Sequence, residues 1–85
     1  MEITDVRVIP VNEARLRGYV SVTFDACFVV RGIKIIEGSS GRLFVAMPAR
    51  RREDGTFQDI AHPITSELRN RLEKAVIDAY YVVLS

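Results

Sequence analysis

The sequence predicts an α+β domain: an antiparallel sheet of four to five strands followed by one C-terminal helix packed on it. Three observations carry this. Val and Ile number 19 against five Leu, and branched side chains suit a pleated surface better than a helix. Apolar and polar residues alternate through the first half of the chain, the period of a strand with one wet face. After Pro63 the period changes to that of a helix. The 85 residues are expected to form one domain, spanning 1–85.

The first strand is expected over residues 3–9, with Thr4, Val6 and Val8 on one face and Asp5 and Arg7 on the other. Pro10 should end it, because it cannot donate to a ladder. Residues 12–15 read as a turn. The second strand runs over 16–25, with Leu16, Val20, Val22 and Phe24 on one face and Arg17, Tyr19, Ser21 and Thr23 on the other. The third covers 28–37 and is apolar on both faces over much of its length, through Phe28, Val29, Val30, Ile33, Ile35 and Ile36. Such a strand belongs in the middle of a sheet or at a subunit contact. Gly38, Ser39, Ser40 and Gly41 form a tight loop, and residues 43–47 form a fourth strand stopped by Pro48. Asp54-Gly55 is a turn signal, and residues 57–61 suit a short fifth strand. Thr65 or Ser66 is a suitable N-cap. Beyond it Leu68, Leu72, Ala75, Val76, Ala79 and Val83 recur at helical spacing.

Composition narrows the function. Twelve Lys and Arg oppose eleven Asp and Glu, a formal net charge of +1, which excludes a uniformly basic nucleic-acid coat protein and a polybasic membrane binder. The total conceals segregation: residues 1–52 carry nine basic against five acidic side chains, and residues 53–85 carry three against six. Arg outnumbers Lys ten to two, and Arg offers a rigid fork of donors that matches phosphate oxygens. One Cys excludes a disulfide framework within the chain and a multi-Cys zinc site. No apolar run approaches the roughly 20 residues of a membrane span. Residues 1–5 lack the basic and apolar regions of a signal peptide, so a cytoplasmic protein is expected. A domain of this size buries only about 60–65% of its unfolded surface, so a symmetric homodimer is expected as well.

Catalysis finds little support. His62 and Cys27 are the only residues of their kinds, and nothing in the sequence brings them together. His62 beside Pro63 more simply bonds backbone, and Cys27 more simply serves as a small core residue. No catalytic residue, metal site or cofactor is expected. Gly38-Ser39-Ser40-Gly41 matches the GxxG pattern that clamps nucleotides in KH domains. It joins two strands rather than two helices, so it reads as a turn needing positive φ. The unusual feature is Arg50-Arg51-Arg52, three adjacent cations between a Pro-terminated strand and an Asp-Gly turn. Such a triplet is either a phosphate site or a solvated loop partly neutralised by Glu53 and Asp54. Arg69, Asn70 and Arg71 add two cations and an amide to an exposed turn near the helix start.

Leu43-Phe44-Val45-Ala46-Met47-Pro48, the two basic residues that follow, Asp54-Gly55, Phe57 and Asp59-Ile60-Ala61-His62-Pro63-Ile64 together resemble the SpoVG family, stage V sporulation protein G. Glu2-Ile3-Thr4-Asp5-Val6-Arg7, Asp25 and Phe28-Val29-Val30 extend the resemblance over nearly the whole chain. It implies a small bacterial cytoplasmic protein linked to division septum formation and, in spore formers, to sporulation. It further implies binding to DNA and RNA, regulation of gene expression, and dimerisation through the sheet. The family's basic pair implicated in nucleic-acid binding falls on Arg50 and Arg51. The family has Lys then Arg there and an uncharged residue at the position of Arg52, which here adds a third cation. Arg42 resembles a small insertion in the loop, and many members carry an acidic tail beyond the position of Ser85.

The leading expectation is therefore a homodimeric DNA- and RNA-binding regulator without catalytic activity. Arg50, Arg51 and Arg52 meet phosphates, and Arg69, Asn70 and Arg71 lie at the helix start, where Arg69 and Asn70 are placed to read bases. The alternative is a protein-interaction module that acts on septation proteins through the third strand or the helix surface and binds no nucleic acid.

Overall fold

The computed structural model describes residues 1–85. Four strands form an antiparallel meander in the order β1-β2-β3-β4: β1 Ile3–Glu13, β2 Leu16–Phe24, β3 Phe28–Glu37 and β4 Leu43–Ala46. A separate two-stranded ribbon follows, β5 Ala49–Arg51 and β6 Phe57–Asp59. The chain ends in helix α1, Ser66–Leu84. The expected α+β class holds, with the short strand near residue 57 leaving the main sheet to pair with β5.

The helix begins where its cap is. Thr65 is extended, and its hydroxyl accepts the Leu68 N–H at 3.2 Å, which satisfies one of the free donors of the first turn. Leu72, Val76 and Tyr80 recur every fourth residue and bury against the sheet's Val20, Val22, Phe24, Ile33 and Ile35. Each such side chain contributes roughly 1.5–3 kcal/mol. Val83, expected on this stripe, is exposed, as is the whole last turn; Tyr80 takes the buried place.

Three corrections have physical causes. β1 continues through Pro10 to Glu13, and Pro10 pairs with Gly18; β1 is an edge strand, where a missing N–H is tolerated. The apolar residues of β3 do not divide between its two faces by simple alternation. Between Val20↔Ile33 and Val22↔Val30, β2 advances two residues and β3 three, a β-bulge in which Gly32 adopts φ +80°. The extra residue reverses the alternation, so Val30 before the bulge and Ile33 and Ile35 after it all pack toward the helix. Cys27 is exposed in the β2–β3 connection rather than in the core. That connection closes with Cys27 N–H donating to the Phe24 carbonyl, and Asp25 and Ala26 both adopt positive φ.

The sheet's other face has no helix on it. Ile9, Tyr19, Lys34 and Ala46 pair successively across the four strands, and Ile9, Tyr19, Val29 and Phe44 are exposed.

The bulge makes Gly32 structurally demanding. A Cβ there meets Pro48 at an ordinary 3.6 Å, so the cost of adding one lies in the backbone. Gly32→Ala should lower unfolding stability by about 1–2 kcal/mol, the left-handed penalty of an L-residue; chemical denaturation checks this.

Candidate nucleic-acid interface

Pro48 ends the main sheet and starts the ribbon. Ala49↔Asp59, Arg50↔Gln58 and Arg51↔Phe57 are paired. Ile60 N–H donates to the Pro48 carbonyl at one end, and Arg52 N–H donates to the Thr56 carbonyl at the other, each at 2.7 Å. Arg52, Glu53, Asp54 and Gly55 make the turn, closed by Gly55 N–H to the Arg52 carbonyl at 3.0 Å, with Gly55 at φ +88°. Every residue from Ala49 to Ile60 is exposed. The ribbon is held by its ladder and its turn rather than by burial.

The period of a strand decides where the arginines go. Arg51 shares a face with Phe57, Ala49 and Asp59, whereas Arg50 lies on the opposite face with Gln58. The triplet, contiguous in sequence, is therefore divided between the two faces of the ribbon. None of its guanidinium groups has an ion-pair partner: the three ion pairs of the protein are Arg7–Asp5, Arg17–Glu37 and Lys74–Asp78. Asp54 forms no ion pair with the triplet. Its carboxylate accepts the Thr56 hydroxyl at 2.7 Å and the Thr56 N–H at 3.0 Å. These bonds, the hydroxyl's first, hold the Asp54 carboxyl below its usual pKa.

The helix-start residues diverge as well. Arg69 lines an open groove of about 650 Å³ between the ribbon and the bare sheet face, together with Gly32, Lys34, Pro48, Phe57 and Asp59. One of its terminal nitrogens donates to the Pro63 carbonyl at 3.4 Å. Asn70 lines a different groove, with Arg42, Phe44 and Lys74. Arg71 donates to the Met1 carbonyl at 3.0 Å. Only Arg69 of the three therefore joins the ribbon. Lys34, which the sequence offers as one more surface cation of a strand, joins them too. Its signal was its charge within an otherwise apolar stretch, Ile33-Lys34-Ile35-Ile36.

The other chemistry-bearing residues stay apart from this region. His62 Nδ1 lies 3.0 Å from the Pro63 carbonyl, the backbone bond expected of it. The cavity beside it is lined by apolar groups such as Phe24, Phe28, Met47 and Leu72. Gly38 to Gly41 form a β3–β4 turn, with Gly41 N–H donating to the Gly38 carbonyl at 2.9 Å and Gly41 at φ +84°. No helix is long and apolar enough to cross a membrane.

The SpoVG family model matches residues 1–82. A protein of Anaeromyxobacter sp. strain Fw109-5 named "Putative septation protein SpoVG" is 59% identical over 80 residues, covering 94% of this chain and 81% of its own length. Proteins of the same name from Caldicellulosiruptor saccharolyticus and Bdellovibrio bacteriovorus are each 56% identical. The first match covers 100% of this chain and 97% of the relative; the second covers 94% and 73%.

A depressed carboxyl pKa means the Asp54–Thr56 contact is complete above the ordinary aspartate range and is lost as pH falls through the folded value. The protection of the Thr56 and Gly55 amides, measured against the intrinsic exchange rate at each pH, should fall only on that acid side. Thr56→Val should move the Asp54 midpoint up toward the ordinary range, as read by NMR titration of its carboxyl carbon.

Proposed function

This chain belongs to the SpoVG family, and on that premise we propose that it is a regulatory protein that binds DNA and RNA and has no catalytic activity. It acts in the cytoplasm, in processes linked to division septum formation and, in spore formers, to sporulation. The observation that carries the reading is the ribbon with Arg50, Arg51 and Arg52 exposed and free of carboxylate ion-pair partners. Adjacent unpaired guanidinium groups repel one another, and a phosphate chain relieves that repulsion. Each phosphate neutralised also releases condensed counterions, which drives association at low salt. Arg69, at the groove beside the ribbon, extends the basic surface. Asn70 and Arg71 face away from it and are secondary. No cofactor takes part.

A second copy of the chain is the partner we assign to the part of the bare sheet face away from β4 and the ribbon, where Ile9, Tyr19 and Val29 lie exposed, which leaves the groove lined by Lys34 open. A homodimer joined there carries two ribbons on one particle. The same face favours a second reading, in which the protein is an interaction module for septation proteins and binds no nucleic acid. The relatives' shared name carries septation. A gel shift with unrelated DNA and RNA separates the two: no complex even at low salt favours the protein-partner reading.

Under the leading reading, Arg50→Ala and Arg51→Ala together weaken binding to every sequence alike. They also flatten the dependence of log K on log salt by about 1–2, because at most two phosphate contacts are removed. Unchanged affinity and slope would reject the ribbon as the phosphate site. Circular dichroism at matched temperature checks that the fold is intact.

A further inference from the structure

The ladder couples an arginine to an aromatic ring. Arg51 is directly opposite Phe57, so the two side chains leave the same face of the ribbon as neighbours. Phe57 is 71% exposed. A large apolar ring on a ribbon without a core contributes little to folding, and its flat face is open to solvent. It lines the groove of about 650 Å³ whose other walls include Lys34 and Arg69, with Asp59 the only carboxylate. Neither Lys34 nor Arg69 belongs to an ion pair. The groove thus offers a π-surface and two cations against one anion, with Arg51 beside the ring on the same ribbon face, and its size suits a mononucleotide-sized group.

Resting on the nucleic-acid reading above, we propose that Phe57 is a stacking platform for one unpaired base. Arg51 meets the phosphate beside that base, and Lys34 and Arg69 hold the strand where it continues through the groove. The occupant is a single-stranded nucleic acid, DNA or RNA, since a base face and a phosphate are common to both. Stacking on an aromatic side chain is tolerant of base identity and is the usual partner of a basic track in single-strand binding. A duplex covers its base faces. A two-stranded ribbon fits a major groove, but there Phe57 meets only base edges and methyl groups. Arg50 and Gln58, on the opposite face of the ribbon, take no part in the stack.

The test exploits the absence of Trp from the sequence. Phe57→Trp keeps a π-face and makes residue 57 the only Trp reporter. Its fluorescence should be quenched on adding a single-stranded 12-mer of DNA, and equally with RNA of the same sequence, with affinity at least that of the parent protein. A matched duplex and a 12-mer with abasic sites throughout should leave the fluorescence nearly unchanged. Phe57→Leu, which keeps an apolar side chain and removes the ring, should weaken single-strand binding about five-fold or more, the lower end of the stacking contribution per base. Its salt slope should match the parent's. The stack is overturned if Phe57→Leu binds the single strand as the parent does, or if the Trp variant binds without quenching, or if abasic and intact strands bind alike. In each of these cases the salt-dependent binding through Arg50 and Arg51 still stands. If the parent protein binds no oligonucleotide at low salt, the nucleic-acid reading itself falls, and the stack with it.

Discussion

Burial of Leu72, Val76 and Tyr80 against Val20, Val22, Phe24, Ile33 and Ile35 is the contact on which the rest of the molecule depends. A single helix covers one face of a four-stranded sheet and nothing more. Every apolar residue that folding must remove from water has to reach that face, and the bulge at Gly32 is how β3 does so. Without the bulge, regular alternation would put Val30 and the Ile33/Ile35 pair on opposite sides. Once that one face is satisfied, the opposite face and the β5–β6 ribbon are left bare. Together with the exposed last turn of the helix, they are surfaces open to a partner.

The ribbon follows a second constraint. With no core beneath it, its shape rests on backbone pairing, on a turn that Gly55 permits, and on the Asp54 carboxylate bonded twice to Thr56. That arrangement engages Asp54 with Thr56, and no carboxylate forms an ion pair with the ribbon's arginines. It also imposes the strand's two-residue period on them, and so separates Arg50 from Arg51 while joining Arg51 to Phe57. The proposed binding chemistry is a consequence of register rather than of charge count. A near-neutral protein carries it because only a few cations have to be left unpaired in the right place.

Much of this architecture was legible. β2 shows its alternation cleanly, the change of period after Pro63 announces the helix, and Thr65 or Ser66 marks its start. Other features were hidden for identifiable reasons. Pro10 looks like a strand end unless β1 is known to be an edge, which is a tertiary fact. Gly32 gives no sign of a bulge beyond being a glycine within a strand, so β3 reads as apolar on both sides. β5 is three residues long, and its exposed Ala49, Arg50 and Arg51 show no hydrophobic pattern. The clue was the symmetry of 49–51 and 57–59 about Asp54-Gly55, which pairs the two arms. For the site, the exposure of Arg50, Arg51 and Arg52 was legible, but the faces they occupy required the register. Arg69, Asn70 and Arg71 look like one cluster in sequence. Successive helix residues turn by about 100°, however, and they point to three different places.

The central claim is that the bare ribbon and the groove beside it receive a nucleic-acid strand. Its most direct test is an NMR titration of the ¹⁵N-labelled full chain with a single-stranded oligonucleotide at low salt. The account predicts that the largest shift changes fall on residues 49–59, on Gly32 and Lys34, and on Arg69, with the outer face of the last helical turn unmoved. Changes confined to Ile9, Tyr19 and Val29 on the open sheet, or no changes at all, would contradict it.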